Sequence, residues 1–368
     1  MSYKQKYLEQ ALIPGIFKNE FSGSVAWQCP SNIALIKYWG KQPNQIPMNA
    51  SLSMTLEKAV TKTEIAYNYS ESREKINIDY YFHGQRKKVF EKRLLDYFKD
   101  LTEYFPFLDK LELFIRSDNS FPHSTGIASS ASAFGAIALC LTEIEYHLKG
   151  ESVGTAEFYN KASFIARLGS GSASRSIFGG LVEWGRHESV KGSTDETAIQ
   201  VSKIIHPYFK NFQDFILILD KGKKDISSAD GHNLMNSNPY ASTRFQQAHS
   251  NLNELIHAIQ RGNMEKFINI VEAEAMNLHA MMMTSSPGYM LMKPGTVEVI
   301  EKIKRFRTKS EMPVCYTLDA GANVHFLGPQ SCKPVMVDFV ENELKSCCFD
   351  GDYIQDRMGN GPEKIKDE

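Results

Sequence analysis

The stretch from Leu111 to Lys149 constrains this chain more than any other. Leu111 to Arg116, LELFIR, alternates apolar and polar residues as a strand does. Ser117 to Ser132 then turns to Ser, Gly, Thr and Ala, and contains Pro122-His123-Ser124-Thr125-Gly126-Ile127-Ala128-Ser129-Ser130-Ala131-Ser132. Ala133 to Lys149 follows with helical apolar spacing and stops at Gly150. A strand, a small-residue loop and a helix start form a setting in which backbone can cradle an anion. Small residues let the backbone approach closely. The first N–H groups of a helix lack intrahelical partners, and its dipole favours negative charge there. The Walker pattern GxxxxGK[ST] is absent, so this is a different kind of phosphate loop or none. A serine-capped helix with no ligand would carry the same letters, and the segment alone leaves both readings open.

The rest of the chain has room for a large core. Its 368 residues suggest about two domains. Strands in pairs and helices in runs, rather than strict βαβ alternation, favour α+β. Thr61 to Asp79 reads as a strand hairpin with His83-Gly84 as a following turn. Helices are expected over Lys92–Phe105, Phe158–Arg167, Val297–Phe306 and, as a pair, Tyr240–Leu278. Strands are expected over Phe178–Trp184, Phe215–Leu219, Val314–Leu318 and Val324–Leu327. The polar run Gly185–Thr197 marks a boundary between a domain 1–195 and a domain 196–368.

Charge and cysteine usage exclude several classes. The 42 basic and 43 acidic residues nearly cancel, which leaves no global field for nucleic acid or an anionic membrane. The six cysteines show no CxxC pair, so free thiols in a reducing cytoplasm are expected. The charged N-terminal stretch has no apolar core of a signal peptide, and no run of about 18 apolar residues suggests a membrane span. The ten histidines show no HxxxH or Cys/His ligand spacing, so no zinc site is inferred.

Four further segments carry polar chemistry. In Ser31–Lys41, Lys37 and Lys41 are four apart and could share a helix face, with Tyr38 and Trp39 as an amphipathic body. Gly169-Ser170-Gly171-Ser172-Ala173-Ser174-Arg175-Ser176 sets a guanidinium fork among hydroxyls, which suits a carboxylate or phosphate. Lys221–Ser228, KGKKDISS, could neutralise phosphate or be a solvated charge run. Asp319, in Thr317–Asn323, is either a turn former or a carboxylate held charged in a cleft by positive neighbours.

Taken together, these segments resemble the diphosphomevalonate decarboxylase family, within the superfamily that includes galactokinase, homoserine kinase, mevalonate kinase and phosphomevalonate kinase. The strings that carry the resemblance are NIALIKYWGK (Asn32–Lys41), MNASLSMTL (Met48–Leu56), PHSTGIASSAS (Pro122–Ser132), RLGSGSASRSIFGGLVEW (Arg167–Trp184), KKDISS (Lys223–Ser228) and TLDAGAN (Thr317–Asn323). The resemblance implies a two-domain α+β small-molecule kinase fold. Its N-terminal domain would be ribosomal-protein-S5-like, its C-terminal domain ferredoxin-like, and its active site would lie in the cleft between them. It implies ATP-dependent decarboxylation of mevalonate 5-diphosphate, with ATP as co-substrate, Mg²⁺ carried with it, a cytoplasmic homodimer, and no nucleic-acid or membrane partner.

By the same resemblance, Asp319 and Arg175 are catalytic. Arg175 also binds substrate, together with Tyr38, Lys41, Ser170, Gly171, Ser172 and Ser227. Ser117, Pro122, Gly126, Ala128, Ser129 and Ser130 bind ATP, with Mg²⁺ near Ser129 and Ser130 and no fixed protein metal site. The chain departs from the family pattern at His123-Ser124-Thr125 and at Ala322, which stands where a proline is usual and would loosen the turn after Asp319. Related readings are a decarboxylase of mevalonate 5-phosphate, a mevalonate 3-kinase, and a non-catalytic ligand sensor. A kinase alone would not need both Asp319 and Arg175, and a sensor would be expected to have lost Asp319 or the serine loop.

Overall fold

The computed structural model describes residues 1–11, 21–122, 127–201, 205–222 and 226–366, without the side chain of Ser228. The first half is built on β1 (Phe21–Ile36) and β2 (Ser51–Tyr69), which pair antiparallel from Phe21–Tyr69 to Ile36–Leu52. The ladder breaks register between Pro30 and Asn32. Proline has no N–H to donate, so a break beside Pro30 costs the pairing little.

The sheet continues through β3 (Asn77–Phe82), which the helix α1 (Lys88–Leu101) follows, and β4 (Leu111–Asn119). The hairpin expected over Thr61–Asp79 does not form. β4 lies between β2 and β3, paired antiparallel to the first and parallel to the second. The expected turn at His83 and Gly84 (φ +48° and +70°) is present and connects Phe82 to Gln85.

Helix α2 (Ser129–Lys149) is buried along most of its length and packs with α3 (Ala156–Gly169) against this sheet. A helix apolar on nearly every face belongs inside a core. Its two buried carboxylates are paired: Glu145 binds the Lys161 ammonium at 2.6 Å, and Glu143 accepts from the Trp27 indole N–H at 2.5 Å. The short helix α4 (Ala173–Ser176) occupies the end of the expected Gly169–Ser176 loop, and β5 (Leu181–Trp184) and β6 (Ala198–Gln200) extend the sheet beyond β2.

The second half is a four-stranded antiparallel sheet. Its members are β7 (Gln213–Leu217), β8 (Cys315–Leu318), β9 (Val324–Gly328) and β10 (Tyr353–Arg357), in the order β8-β9-β7-β10. Between β7 and β8 the chain forms α5 (Ser228–Leu234), α6 (Ala241–Arg261), α7 (Met264–Met283) and α8 (Pro294–Ser310). The chain then returns to the first sheet, where β11 (Glu363–Lys364) pairs with β1 at Trp27 and Gln28. All six cysteines are free thiols. Among the described residues no helix is long and apolar enough to cross a membrane.

Candidate active site

The residues after β1 are fastened by the second half of the chain. The Lys37 backbone N–H donates to Glu274 Oε2 of α7 at 2.9 Å. Glu274 is itself held by both Arg244 Nη atoms and, at 2.7 Å, by Asn251 Nδ2. This tether takes Lys37 to Lys41 out of any helix, so the two lysines do not share a helix face. Lys37 is buried, with Nζ donating to the Ala34 carbonyl at 2.6 Å, while Lys41 is half-buried and reaches Gln45 Oε1 at 3.0 Å.

Arg175 is aimed by neighbours on β1 and β2. Its Nε donates to Asn32 Oδ1 at 3.3 Å and its Nη1 to Ser51 Oγ at 2.5 Å. Asn32 is oriented in turn by donating to Ser176 Oγ at 2.8 Å and to the Ser172 carbonyl at 3.2 Å. Two of the guanidinium's three nitrogens thus set its plane. The loop before it needs glycine at 171, where a Cβ would meet the Trp184 ring at 2.6 Å and the Tyr38 hydroxyl at 2.9 Å. That close approach buries the Tyr38 hydroxyl with no protein partner.

Helix α2 begins beside this loop. Ala128 precedes it in the left-handed region (φ 43°, ψ 41°), with no side-chain cap and no acidic residue in the first turn. The helix start therefore keeps free N–H groups and hydroxyls. Ser130 Oγ lies 3.3 Å from Ser170 Oγ, which lies 3.5 Å from Ser172 Oγ, so hydroxyls run from the helix start to the arginine loop.

Asp319 enters from the end of β8. Its carbonyl accepts from Gly321 N at 2.7 Å and from His279 Nε2 at 3.2 Å. Ala322 does not loosen the turn, because its carbonyl accepts from Thr296 Oγ1 at 2.7 Å and Asn323 Oδ1 takes the Leu219 N–H at 2.7 Å. Burial pulls the Lys37 ammonium down to about 8 and Arg175 down to about 10. The Asp319 carboxylate opposes both shifts, so it is near enough to act on both cations. Glu183 is fully buried with neither oxygen hydrogen-bonded, and burial pushes its carboxyl up to about 9 against the pull of Arg175. It is neutral at pH 7 and does not cancel the guanidinium's charge.

The Arg175 loop, the start of α2 and Asp319 line one cavity of about 240 Å³. It brings together Asp319, Arg175, Tyr38, Lys41, Ser170, Gly171, Ser172, Ala128, Ser129 and Ser130. Ser117 is not among them: it is buried in β4 with its hydroxyl 3.0 Å from Thr63 Oγ1. Pro122 is exposed and outside the lining. Ser227 is exposed and caps α5, with its hydroxyl on Asp230, while Ala229 of that helix reaches the wall. Gly126, with His123-Ser124-Thr125, and Lys223-Lys224-Asp225 lie outside the described residues.

Four polar lining residues were not singled out by sequence reasoning: Asn32, Gln45, Arg93 and His232. Arg93 stands on α1, with its guanidinium 5.0 Å from the centre of the Phe134 ring. Its local sequence, EKRLLDYF, is that of any surface helix, so no local signal marked it. Asn32 lay inside a motif already noted, and the local signal was Pro30 two residues before it, where the ladder breaks.

Comparison with known proteins agrees along nearly the whole chain. Residues 29–198 match the family "Diphosphomevalonate decarboxylase-like N-terminal domain", and residues 215–362 match "Mevalonate 5-diphosphate decarboxylase C-terminal domain". Diphosphomevalonate decarboxylase of Schizosaccharomyces pombe is 31% identical over 359 residues, covering 91% of this chain and 86% of that protein. The crystal structure of mevalonate diphosphate decarboxylase from Staphylococcus aureus is 27% identical with a TM-score of 0.78, covering 94% of this chain and 99% of that one. An MDDEF chain in complex with MVAPP, AMPPCP and magnesium shares the fold at 24% identity, covering 94% and 100% of the two chains with a TM-score of 0.78.

Proposed function

The chain belongs to the diphosphomevalonate decarboxylase family, and from that premise and the chemistry of its cleft we infer how it carries out ATP-dependent decarboxylation of mevalonate 5-diphosphate. The products are isopentenyl diphosphate, ADP, phosphate and CO2, a step of isoprenoid biosynthesis. One observation carries the residue roles: Asp319 and Arg175 line the same cavity as the start of α2, with hydroxyls between them.

A tertiary hydroxyl is a poor leaving group, and phosphorylation makes it a good one. The C3 oxygen bonds to the γ-phosphorus of ATP as the bond to ADP breaks. The C3–O bond then breaks, with its electron pair leaving on phosphate. The C1–C2 pair moves to form the C2–C3 double bond, and CO2 departs. Asp319 takes or orients the proton of the C3 hydroxyl in the first step. Arg175 grips the substrate carboxylate through the nitrogen that Asn32 and Ser51 leave open. Tyr38, Lys41, Ser170, Gly171 and Ser172 hold the rest of the substrate, and Arg93 adds a cation on the same wall.

Ser129 and Ser130 meet the ATP phosphates at the uncapped helix start. The N–H groups suit the nucleotide's phosphates, and with no first-turn carboxylate to hold a metal of its own, the Ser129 and Ser130 hydroxyl oxygens fit a Mg²⁺ ion that would arrive on the nucleotide. When bound, that ion spreads the charge of the transferring phosphoryl group. In this reading the two walls come from domains 1–195 and 196–368, two copies pair as a homodimer, and the protein works in the cytoplasm, where its six free thiols stay reduced.

The deciding assay supplies ATP, Mg²⁺ and either mevalonate 5-diphosphate or mevalonate 5-phosphate, and measures ADP and CO2 together. Equal release of both from the diphosphate is expected. ADP without CO2, or turnover of the monophosphate alone, overturns the reading. Sedimentation velocity measures the pairing.

A further inference from the structure

His232 lies on the wall of the cavity, and the sequence offered no reason to single it out from the other histidines. It is carried by α5, which can press against the turn after β1 because residue 231 is glycine. A Cβ there would meet Trp39 Cζ2 at 2.6 Å and the Tyr289 hydroxyl at 2.5 Å. The imidazole is packed on two aromatic rings, 4.3 Å from the centre of Tyr38 and 4.5 Å from that of Trp39. It is buried, so its orientation is set by packing rather than by solvent.

The tautomer follows from one hydrogen bond. The backbone N–H of Gly40 donates to His232 Nδ1 at 2.9 Å. A backbone amide can only donate, so Nδ1 is the unprotonated nitrogen of a neutral ring, and the proton sits on Nε2. Burial pushes the ring's pKa down to about 3, with Lys41 and Arg175 adding repulsion, so the ring stays neutral across the working range. Among the described residues, Nε2–H has no protein acceptor. An oriented donor on the cavity wall is completed by whatever occupies the cavity, water or ligand.

We propose that His232 is a substrate-binding residue whose Nε2–H donates to an anionic oxygen of mevalonate 5-diphosphate. The ligand it serves rests on the function proposed above; the oriented donor does not. Lys41 and Arg175 already supply point charge and a fork on the same wall. A neutral donor adds direction without adding another cation, and it keeps the same protonation state when the substrate's charge arrives.

Two near-isosteric variants separate its two bonds. His232→Asn keeps an acceptor where Nδ1 meets Gly40 but has nothing at Nε2. His232→Gln places an amide N–H near Nε2 but loses the acceptor. The assay measures ADP and CO2 with varied mevalonate 5-diphosphate or ATP, alongside thermal unfolding. His232→Asn should raise the KM for mevalonate 5-diphosphate about 10- to 100-fold, the range of a hydrogen bond to a charged group, with the KM for ATP unchanged. His232→Gln should recover most of that loss. A KM within twofold of wild type in His232→Asn overturns the proposal, as does equal damage in both variants.

Should His232→Asn fail to fold, the wild-type protein labelled with ¹⁵N-histidine provides the measurement. The Nε2–H resonance should move on adding mevalonate 5-diphosphate alone, and a resonance that does not move overturns the assignment. Absence of ADP and CO2 from the wild type would instead remove the proposed function, before any variant is judged.

Discussion

The cleft invites comparison with a second polar cluster, His187, Glu188 and His249, in which the loop after β5 meets α6. The two imidazole centres lie 4.0 Å apart, and with Glu188 they form a group with metal-ligand atoms close together. Spacing along the chain could not reveal it, since 61 positions separate Glu188 from His249. Yet this cluster satisfies itself. His187 Nδ1 accepts from Ser189 N at 3.2 Å, and its Nε2 donates to the His249 carbonyl at 3.0 Å. His249 Nε2 pairs with Glu188 at 2.8 Å, and Ser189 donates to Asn253 at 2.6 Å. In the cleft, by contrast, the Tyr38 hydroxyl is buried without a partner, and His232 lines the cavity with its Nδ1 held by Gly40 and its Nε2 without a protein acceptor among the described residues. Both regions gather ring nitrogens and charges between elements distant in sequence. The cluster spends them on its own loop, whereas the cleft orients them and leaves them open, at a cost that a ligand repays.

The comparison breaks first at Asp319. Asp319→Asn keeps shape and most hydrogen bonding but removes the charge. The rates of ADP and CO2 release should fall together by about 10²–10⁴, the range of a lost general base. Loss of CO2 with ADP intact would instead show that Asp319 acts after phosphorylation.

Arg175→Lys comes next. An ammonium keeps the charge but cannot hold Asn32, Ser51 and a carboxylate in one plane. Loss of a buried charged contact costs about 2–5 kcal/mol, so kcat/KM should fall roughly 30- to 5000-fold. Activity within twofold of wild type would place the carboxylate grip elsewhere.

A pH profile tests the charge balance beneath Asp319. The Lys37 ammonium, lowered to about 8, is protonated at pH 7 and loses its proton as pH rises through 8. If its charge keeps Asp319 and the anionic substrates in place, kcat/KM should fall about tenfold per pH unit above 8. The limb should be weaker in kcat, because bound anions favour the charged lysine. It should vanish in Lys37→Gln, which should also be slower at pH 7.

The smallest effect is expected at the second cluster. His249→Ala removes a contact with Glu188 whose partners are both solvent-exposed, and such exposed pairs contribute little to stability. Thermal stability should drop slightly, and kcat/KM should stay within twofold. A larger loss of activity would mean that this cluster also serves the reaction.

Much of the site was legible beforehand because its residues sit in short contiguous strings. The serine run before α2, the glycine-serine loop before Arg175 and the aspartate after β8 each show their chemistry locally, and the resemblance joined them. Ser117 misled because it lies in the same serine-rich stretch, yet strand alternation turns its hydroxyl to Thr63 inside the sheet. Ser227 misled because capping α5 uses the hydroxyl that a ligand would need. The hairpin over Thr61–Asp79 failed for a different reason: local alternation says that two segments are strands, but not which strand lies between them.

The sequence by itself determined the element types, the α+β class and the small-residue turns, since periodicity, glycine and helix-start chemistry act over a few neighbouring residues. Only the tertiary structure decided which polar groups would be spent and which left open. Arg93 reads as an ordinary helix residue until Phe134 meets it, and His232 is one histidine among ten until Gly40 takes its Nδ1. Partner choice depends on packing between elements far apart in the chain, and such packing leaves no periodic trace along it.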